Sequence, residues 1–320
     1  MRIVLTGSIA YDYLMRFPGR FRDHLLPDHL DRISVSFLVE DMVRERGGNA
    51  ANIAYSLALL GERPILMGTA GRDFGEYRVW LEERGVDTSA VRVIGDVYTA
   101  SFFANTDSDN NQLGSFYSGA MAYSRGYTLG EALSEAPDLV VISPSDPTAM
   151  TEMADECRAR GYPFLFDPSQ QVIWLDGDSL RRGIDGCQIL VVNAYEWQMI
   201  AKKTGLTLQE LVRAGKTVIV THGNDGSQIH AGGEQHAVPI FPVEKIADPT
   251  GVGDAYRAGL LKGIASGFDW PLSGRIAALV AAYTLEQRGT QNHRFTLVEF
   301  VARFRTVFDD RGALDAWLKG

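Results

Sequence analysis

The stretch Ala247-Asp248-Pro249-Thr250-Gly251-Val252-Gly253-Asp254-Ala255-Tyr256-Arg257-Ala258-Gly259 sets two glycines, two residues apart, directly before an aspartate and an apolar, helix-like run. Glycines at 251 and 253 let backbone N–H groups approach an anion closely, and a helix starting there adds the positive end of its dipole. Asp254 would then be a carboxylate in the first turn of a helix that cradles a phosphate. That placement is electrostatically wasteful unless the carboxylate removes a proton from an attacking hydroxyl. The plainer reading is a glycine turn followed by an acid that favours the helix dipole. The upstream Asp248 makes the set more specific than a bare glycine loop.

Downstream of Asp248 the pattern is helical only, over Val252–Ser266, Leu272–Gln287, Thr296–Phe308 and a short Leu314–Leu318. Upstream, short apolar β-rich runs recur at Ile3–Leu5, Pro64–Met67, Leu139–Ile142, Phe164–Phe166, Ile189–Val192 and Val218–Val220. Most precede helical patterns, among them Asn49–Leu60, Phe74–Arg84, Thr148–Arg160 and Tyr195–Thr204. Alternation of buried strand and amphipathic helix predicts an α/β protein whose mostly parallel sheet is covered on both faces. Two stretches break the alternation. Ile33–Val39 alternates as a half-buried strand should, and Tyr98–Ala104 with Gln112–Tyr117 flank a run of turn formers, as in a hairpin. Together they predict one small sheet built from two insertions.

The chain has 320 residues, 45% of them apolar and 22% charged, which fits an ordinary globular protein with a real core. Forty acidic against 31 basic side chains, a net charge of −9, argue against a nucleic-acid polymer as partner. Cys157 and Cys187 make no disulfide framework and read as small buried hydrophobes. The N-terminus enters a strand-like run at once and no apolar run reaches bilayer length, so the expectation is a cytoplasmic protein without a membrane partner.

Three further clusters carry chemistry. Gly47-Gly48-Asn49-Ala50-Ala51-Asn52 opens a helix, with Asn49 and Asn52 on one face; capping explains one Asn comfortably and the second poorly. Asn193-Ala194-Tyr195-Glu196 sits at a strand's carboxyl end, where open α/β sheets bind ligands, and reads either as a Mg²⁺-water site or as a capping box. Thr221-His222-Gly223-Asn224-Asp225-Gly226 follows a strand and resembles a nucleotide-holding turn. Two look-alikes fail. Gly7-Ser8-Ile9-Ala10-Tyr11-Asp12 lacks the glycines of the dinucleotide fingerprint, and Gly215-Lys216-Thr217 runs into a strand rather than a helix. The histidines show no metal spacing, so zinc is not expected.

In their order and spacing, Gly47-Gly48-x-x-x-Asn52, Asn193-x-x-Glu196 and Asp248 through Asp254 resemble the ribokinase (PfkB) family of sugar and nucleoside kinases, over essentially the whole chain. Within it, Gly7–Asp12, Met15–Phe21, Ser36–Val39, Ser115–Met121, Asp167-Pro168-Ser169-Gln170-Gln171 and Gly289-Thr290-Gln291 resemble bacterial adenosine kinases. The resemblance implies a ribokinase-like three-layer α/β/α domain over residues 1–12, 47–97 and 118–320, with a β-sheet lid from 13–46 and 98–117. It implies an ATP-dependent kinase that converts adenosine to AMP in purine salvage. Asp12 would bind the ribose hydroxyls, helped by Gly48 and Asn52. Ser8, Ser36, Gln170 and Gln171 would face the nucleoside, and Phe102 and Phe116 would stack on the purine. Core packing is the plainer account of those two rings. Asp254 would be the base and the amides of Gly251, Val252 and Gly253 the anion hole. Asn193, Glu196, Thr221, Gly223 and Gly226 would line the ATP–Mg²⁺ side, with Glu196 reaching Mg²⁺ through water and Asp248 beside a monovalent cation. A homodimer through the lid would cover its sheet edge. The rival expectations are a kinase of ribose, fructose or a sugar phosphate, and a silent nucleoside-binding protein. One departure stands out: the Arg that many relatives carry just after the counterpart of Asp167 is missing, so that either Arg20 or Arg257 substitutes or the nucleotide and substrate contacts differ.

Overall fold

The apolar runs become strands because both of their faces find cover. The computed structural model describes residues 1–24 and 34–319. Its strands are β1 (Ile3–Thr6), β2 (Ala10–Arg16), β3 (Asp41–Gly47), β4 (Ile65–Gly71), β5 (Val91–Ile94), β6 (Ala100–Thr106), β7 (Gln112–Tyr117), β8 (Leu139–Ile142), β9 (Phe164–Phe166), β10 (Ile189–Asn193), β11 (Thr217–Thr221), β12 (Ser227–Ala231) and β13 (Glu234–Val238). The helices are α1 (Asn49–Leu59), α2 (Gly75–Glu82), α3 (Leu129–Ala132), α4 (Pro147–Arg160), α5 (Gly177–Asp185), α6 (Ala194–Thr204), α7 (Leu208–Arg213), α8 (Val252–Ala265), α9 (Trp270–Leu285) and α10 (Leu297–Phe304).

Nine strands form one sheet in the order β13-β12-β11-β10-β9-β8-β1-β4-β5. It is parallel except for β12 and β13, which return antiparallel beside β11. Along β8 and β10, Leu139, Val141, Ile189 and Val191 join the core under α1, α8 and α9. Their neighbours Val140, Ile142, Leu190 and Val192 join the opposite core under α4, α5 and α6. A strand buried on both faces reads as a continuous apolar run, as these do. This is the ribokinase-like three-layer arrangement. Cys157 and Cys187 are buried and free, and burial pushes each thiol up to about 12, so neither is a nucleophile at neutral pH.

The second sheet has four strands in the order β3-β2-β6-β7. It uses Ala10–Arg16, a strand the sequence pattern did not single out, and it begins before residue 13. The strand expected over Ile33–Val39 is a correction: residues 34–39 are irregular, Ile33 lies outside the described residues, and the strand starts instead at Asp41. The reason is aromatic. Phe37 leaves the pleated pattern to pack between Phe17 and Phe21, at centroid distances of 5.0 and 4.9 Å. Asp107 clips that cluster to the hairpin turn, accepting from the backbone N–H groups of Phe21 and Asn111 at 2.9 and 2.8 Å.

Candidate active site

The carboxyl ends of β1, β9, β10 and β11 point the same way along the large sheet, and the small sheet rises beside them from β2 and β3. Gly251 closes the loop before α8 in the left-handed region, φ 76°, with no side-chain cap on the helix. The first bond within the helix runs from Ala255 N to Gly251 O, so the first-turn N–H groups have no side-chain acceptor. A side chain at Gly251 would meet Thr290 at 2.8 Å, which keeps this loop a glycine loop. Asp254 follows on the first turn and is buried.

Two amides hold Asp254. Asn49 Nδ2 donates to Oδ1 and Asn52 Nδ2 to Oδ2, both at 2.9 Å. Capping therefore explains neither Asn: Gly48, which has no side chain, is the cap residue of α1. Asn52 Oδ1 accepts in turn from Thr290 Oγ1 at 2.8 Å and Gln291 Nε2 at 3.0 Å. Burial pushes the Asp254 carboxyl up to about 6, against the pull of Arg257 and the two amide donors.

Arg257, one turn further along α8, resolves the missing cation after Asp167. It is buried, it pairs with Asp167, and its Nη2 reaches Asp167 Oδ1 at 2.6 Å and Ser169 Oγ at 3.1 Å. Gly253 makes the room, since a Cβ there would stand 2.9 Å from Arg257 Nη1. Burial disfavours the guanidinium charge, but Asp167, Asp254 and Glu196 outweigh it and hold Arg257 charged. Arg20 is not the substitute; it pairs with Asp23 at the surface.

On the small sheet, register aligns Glu45, Asp12, Phe102 and Phe116 as one row across all four strands. Directly paired residues project to one face, so the diol-binding candidate and both aromatic candidates share it. Phe116 is 55% exposed, which rules out core packing for that ring. Burial, with Glu45 and Asp248 close by, lifts the Asp12 carboxyl to about 6. Glu45, absent from the sequence expectations, ties this face to the body through Asn292 Nδ2 at 3.0 Å. Its signal was alternation with Gly47 in a strand that periodicity placed too early. Gly48, at φ 94°, packs so tightly on Ser8–Ala10 that a Cβ would stand 2.5 Å from Ser8 O. Its glycine is thus required by the chain itself.

Ser8 Oγ accepts from Asn49 N at 2.9 Å, and Gln170 Nε2 donates to Asn49 Oδ1 at 3.3 Å. Gln171 Oε1 is buried and has no hydrogen-bond partner among the described residues. Ser36 lies exposed in the irregular segment before β3. On the other side, Asn193 and Thr221 are register partners at the ends of β10 and β11. Asn193 and Glu196 form a complete capping box: Glu196 N donates to Asn193 Oδ1, and Asn193 N and Nδ2 donate to the two Glu196 oxygens, all at 2.8 Å. Burial raises the Glu196 pKa against the Asn193 N–H. Gly223 opens a short turn, and Gly226 lies against Val238 at the end of β13. Asp248 is pushed up by burial but held below the usual carboxylate range by Thr250 and the backbone N–H of Gly289, which donate at 2.9 and 3.1 Å.

A buried carboxylate beside a glycine-loop helix N-terminus, facing a lid, defines a phosphotransferase that acts on an alcohol. The model of the pfkB family of carbohydrate kinases matches residues 9–296, and the chain belongs to that family. It is 33% identical over 306 residues to a nucleoside kinase of Methanothermobacter thermautotrophicus, covering 94% of this chain and 95% of that one. The ligand-free structure of Burkholderia thailandensis nucleoside kinase superposes with a TM-score of 0.86 at 40% identity, covering 94% of this chain and 99% of that one. The same enzyme in complex with ADP-inosine matches with a TM-score of 0.82 at 41% identity, covering 96% of each chain. These relatives carry the broader name nucleoside kinase; a specific preference for adenosine goes beyond them.

Proposed function

We propose that the chain is an ATP-dependent nucleoside kinase that phosphorylates the 5′-hydroxyl of a purine nucleoside, with adenosine as a substrate. The observations that carry this reading are the row of Asp12, Phe102 and Phe116 on one lid face and the clamped Asp254 at the start of α8. Asp12 accepts from the two ribose hydroxyls, while Gly48 and Asn52 set the sugar's position. Phe102 and Phe116 stack on the base, and Ser8, Ser36, Gln170 and Gln171 supply polar contacts. With the sugar held, Asp254 takes the proton of the 5′-hydroxyl, and the N–H groups of Gly251, Val252 and Gly253 meet the transferring phosphoryl. Asn193, Thr221, Gly223 and Gly226 line the ATP side. Inosine is the second substrate to expect, because the Burkholderia relative was solved in complex with it.

Mg²⁺ fits as an ion held mainly by phosphates and water. Among the described residues no three acidic, His or Cys side chains gather to hold a metal. Glu196 keeps a free lone pair on each oxygen for a water-mediated contact. Bound there, the ion neutralises phosphate charge. Asp248 orders the glycine loop, and a monovalent cation beside it would raise turnover when K⁺ is added. The exposed edge strand β7 and Leu38, 87% exposed in the segment before β3, favour a lid-to-lid homodimer, checked by light scattering. The test of function is ADP release over adenosine, inosine, guanosine, ribose and fructose. Brisk turnover of a free sugar with none of any nucleoside would overturn the reading.

A further inference from the structure

The two amides on Asp254 differ in what stands behind them. Asn52 is anchored from the buried side by Thr290 and Gln291. Asn49 is half-buried, and among the described residues its Oδ1 is held only by Ser8 Oγ and Gln170 Nε2, both at 3.3 Å. Those are groups that the proposed function assigns to the nucleoside, and the inference rests on that reading. One grip on the carboxylate is fixed and the other depends on side chains that a substrate would recruit.

We propose that Asn49 is a latch on the catalytic base: in the free protein its amide takes one of the two lone pairs of Asp254 Oδ1 and weakens that oxygen as a proton acceptor, and nucleoside engagement by Ser8 and Gln170 withdraws it. Once the latch is open, the 5′-oxygen attacks the γ-phosphorus and its proton passes to Asp254 Oδ1. The bond from that phosphorus to the bridging oxygen breaks, and ADP leaves with the electron pair. While it is closed, the same base is weaker toward water, which slows the release of phosphate and ADP. Asn49 is therefore a positioning residue that ties deprotonation to the presence of the acceptor. The charged groups around Asp254 are Arg257 on its own helix and Asp167 beyond it at the end of β9. From α1 only the two neutral amides face it, and the Thr290–Gln291 segment reaches it through Asn52.

Two readouts separate a latch from a structural amide. Asn49→Leu has similar volume and no donor. It should raise ATP hydrolysis without nucleoside about tenfold, the order expected for one hydrogen bond to a charged group. It should also move the acid limb of kcat/KM for the nucleoside to higher pH while leaving that of kcat in place, because the donor is lost from the free enzyme and is already withdrawn in the substrate complex. Asn49→Ser stays polar at the helix start but is too short to reach the base, and it must show both changes. If either variant leaves nucleoside-free hydrolysis or the acid limb of kcat/KM where the unsubstituted enzyme has it, the latch is refuted. Asp254→Asn keeps the two failures apart. Normal turnover in that variant removes the base assignment and the latch with it. An inactive Asp254→Asn with unchanged Asn49 variants removes the latch alone.

Discussion

Lowering the pH perturbs two working carboxylates at once, because burial has placed both Asp12 and Asp254 at about 6. In the proposed reaction Asp12 must be ionised to accept from two hydroxyls, and Asp254 must be ionised to take a proton. Each carboxylate loses about tenfold of its ionised fraction per pH unit below its pKa. At about pH 5 each is roughly one-tenth ionised, and the doubly ionised enzyme is about one-hundredth of the total. With ATP saturating, kcat/KM for the nucleoside should therefore fall with a slope of about two below pH 6, since it reports the free enzyme. The fall in kcat should have a slope of about one, because bound ribose keeps Asp12 ionised. The assay is coupled ADP release in a constant-ionic-strength buffer series. Asp12→Asn should raise KM and reduce the kcat/KM slope to about one. A slope of one in the unsubstituted enzyme, or activity that holds to about pH 4, would refute the reasoning, since an ordinary carboxylate titrates there.

Asp12→Asn should also stabilise the protein at neutral pH. A carboxyl whose folded pKa of about 6 exceeds its ordinary value of 3.8 contributes full stability below 3.8 and loses it as pH rises through 6. The charge then costs at most about 3 kcal/mol at pH 7, so the variant should melt several degrees higher there and show no gain near pH 4. Arg257→Leu leaves Asp167 buried and uncompensated and should cost about 3–5 kcal/mol in denaturant unfolding. Arg257→Leu with Asp167→Leu should recover much of it. Phe116→Ala should weaken nucleoside binding by about 1–3 kcal/mol, read as KM, with little change in melting temperature because the ring is already exposed. Gly48→Ala should lower stability by more than about 1 kcal/mol and disturb Asp254 through α1, read by melting and kcat together.

Where a local pattern was enough, the chain could be read directly. Leu139–Ile142 and Phe164–Phe166 are strands with the expected bounds, because a fully buried parallel strand has no polar side to blur them. The hairpin was legible too, although its first strand is Ala100–Thr106 rather than Tyr98–Ala104, because Asn105 and Thr106 extend the ladder before the turn begins. Ala10–Arg16 escaped because its burial changes along its length, from the body at Ala10 to solvent at Arg16. The pair β12–β13 escaped although Gly232-Gly233 marks its turn, since Gln and His interrupt the apolar pattern.

The site divides along the same line. Gly251, Gly253 and Asp254 declare an anion-binding helix start with a carboxylate in place, because all three act through backbone geometry within one turn. That much, and the family it resembles, the sequence determined by itself. Only the tertiary structure decided that Arg257 stands in for the absent cation, since its partner Asp167 is 90 residues away along the chain. Only it set Asp12 in register with Phe102 and Phe116, and brought Asn49 and Asn52 from more than 200 residues away onto the two oxygens of Asp254. Contacts of that range are made by the packing of helix on sheet, and no local spacing records them.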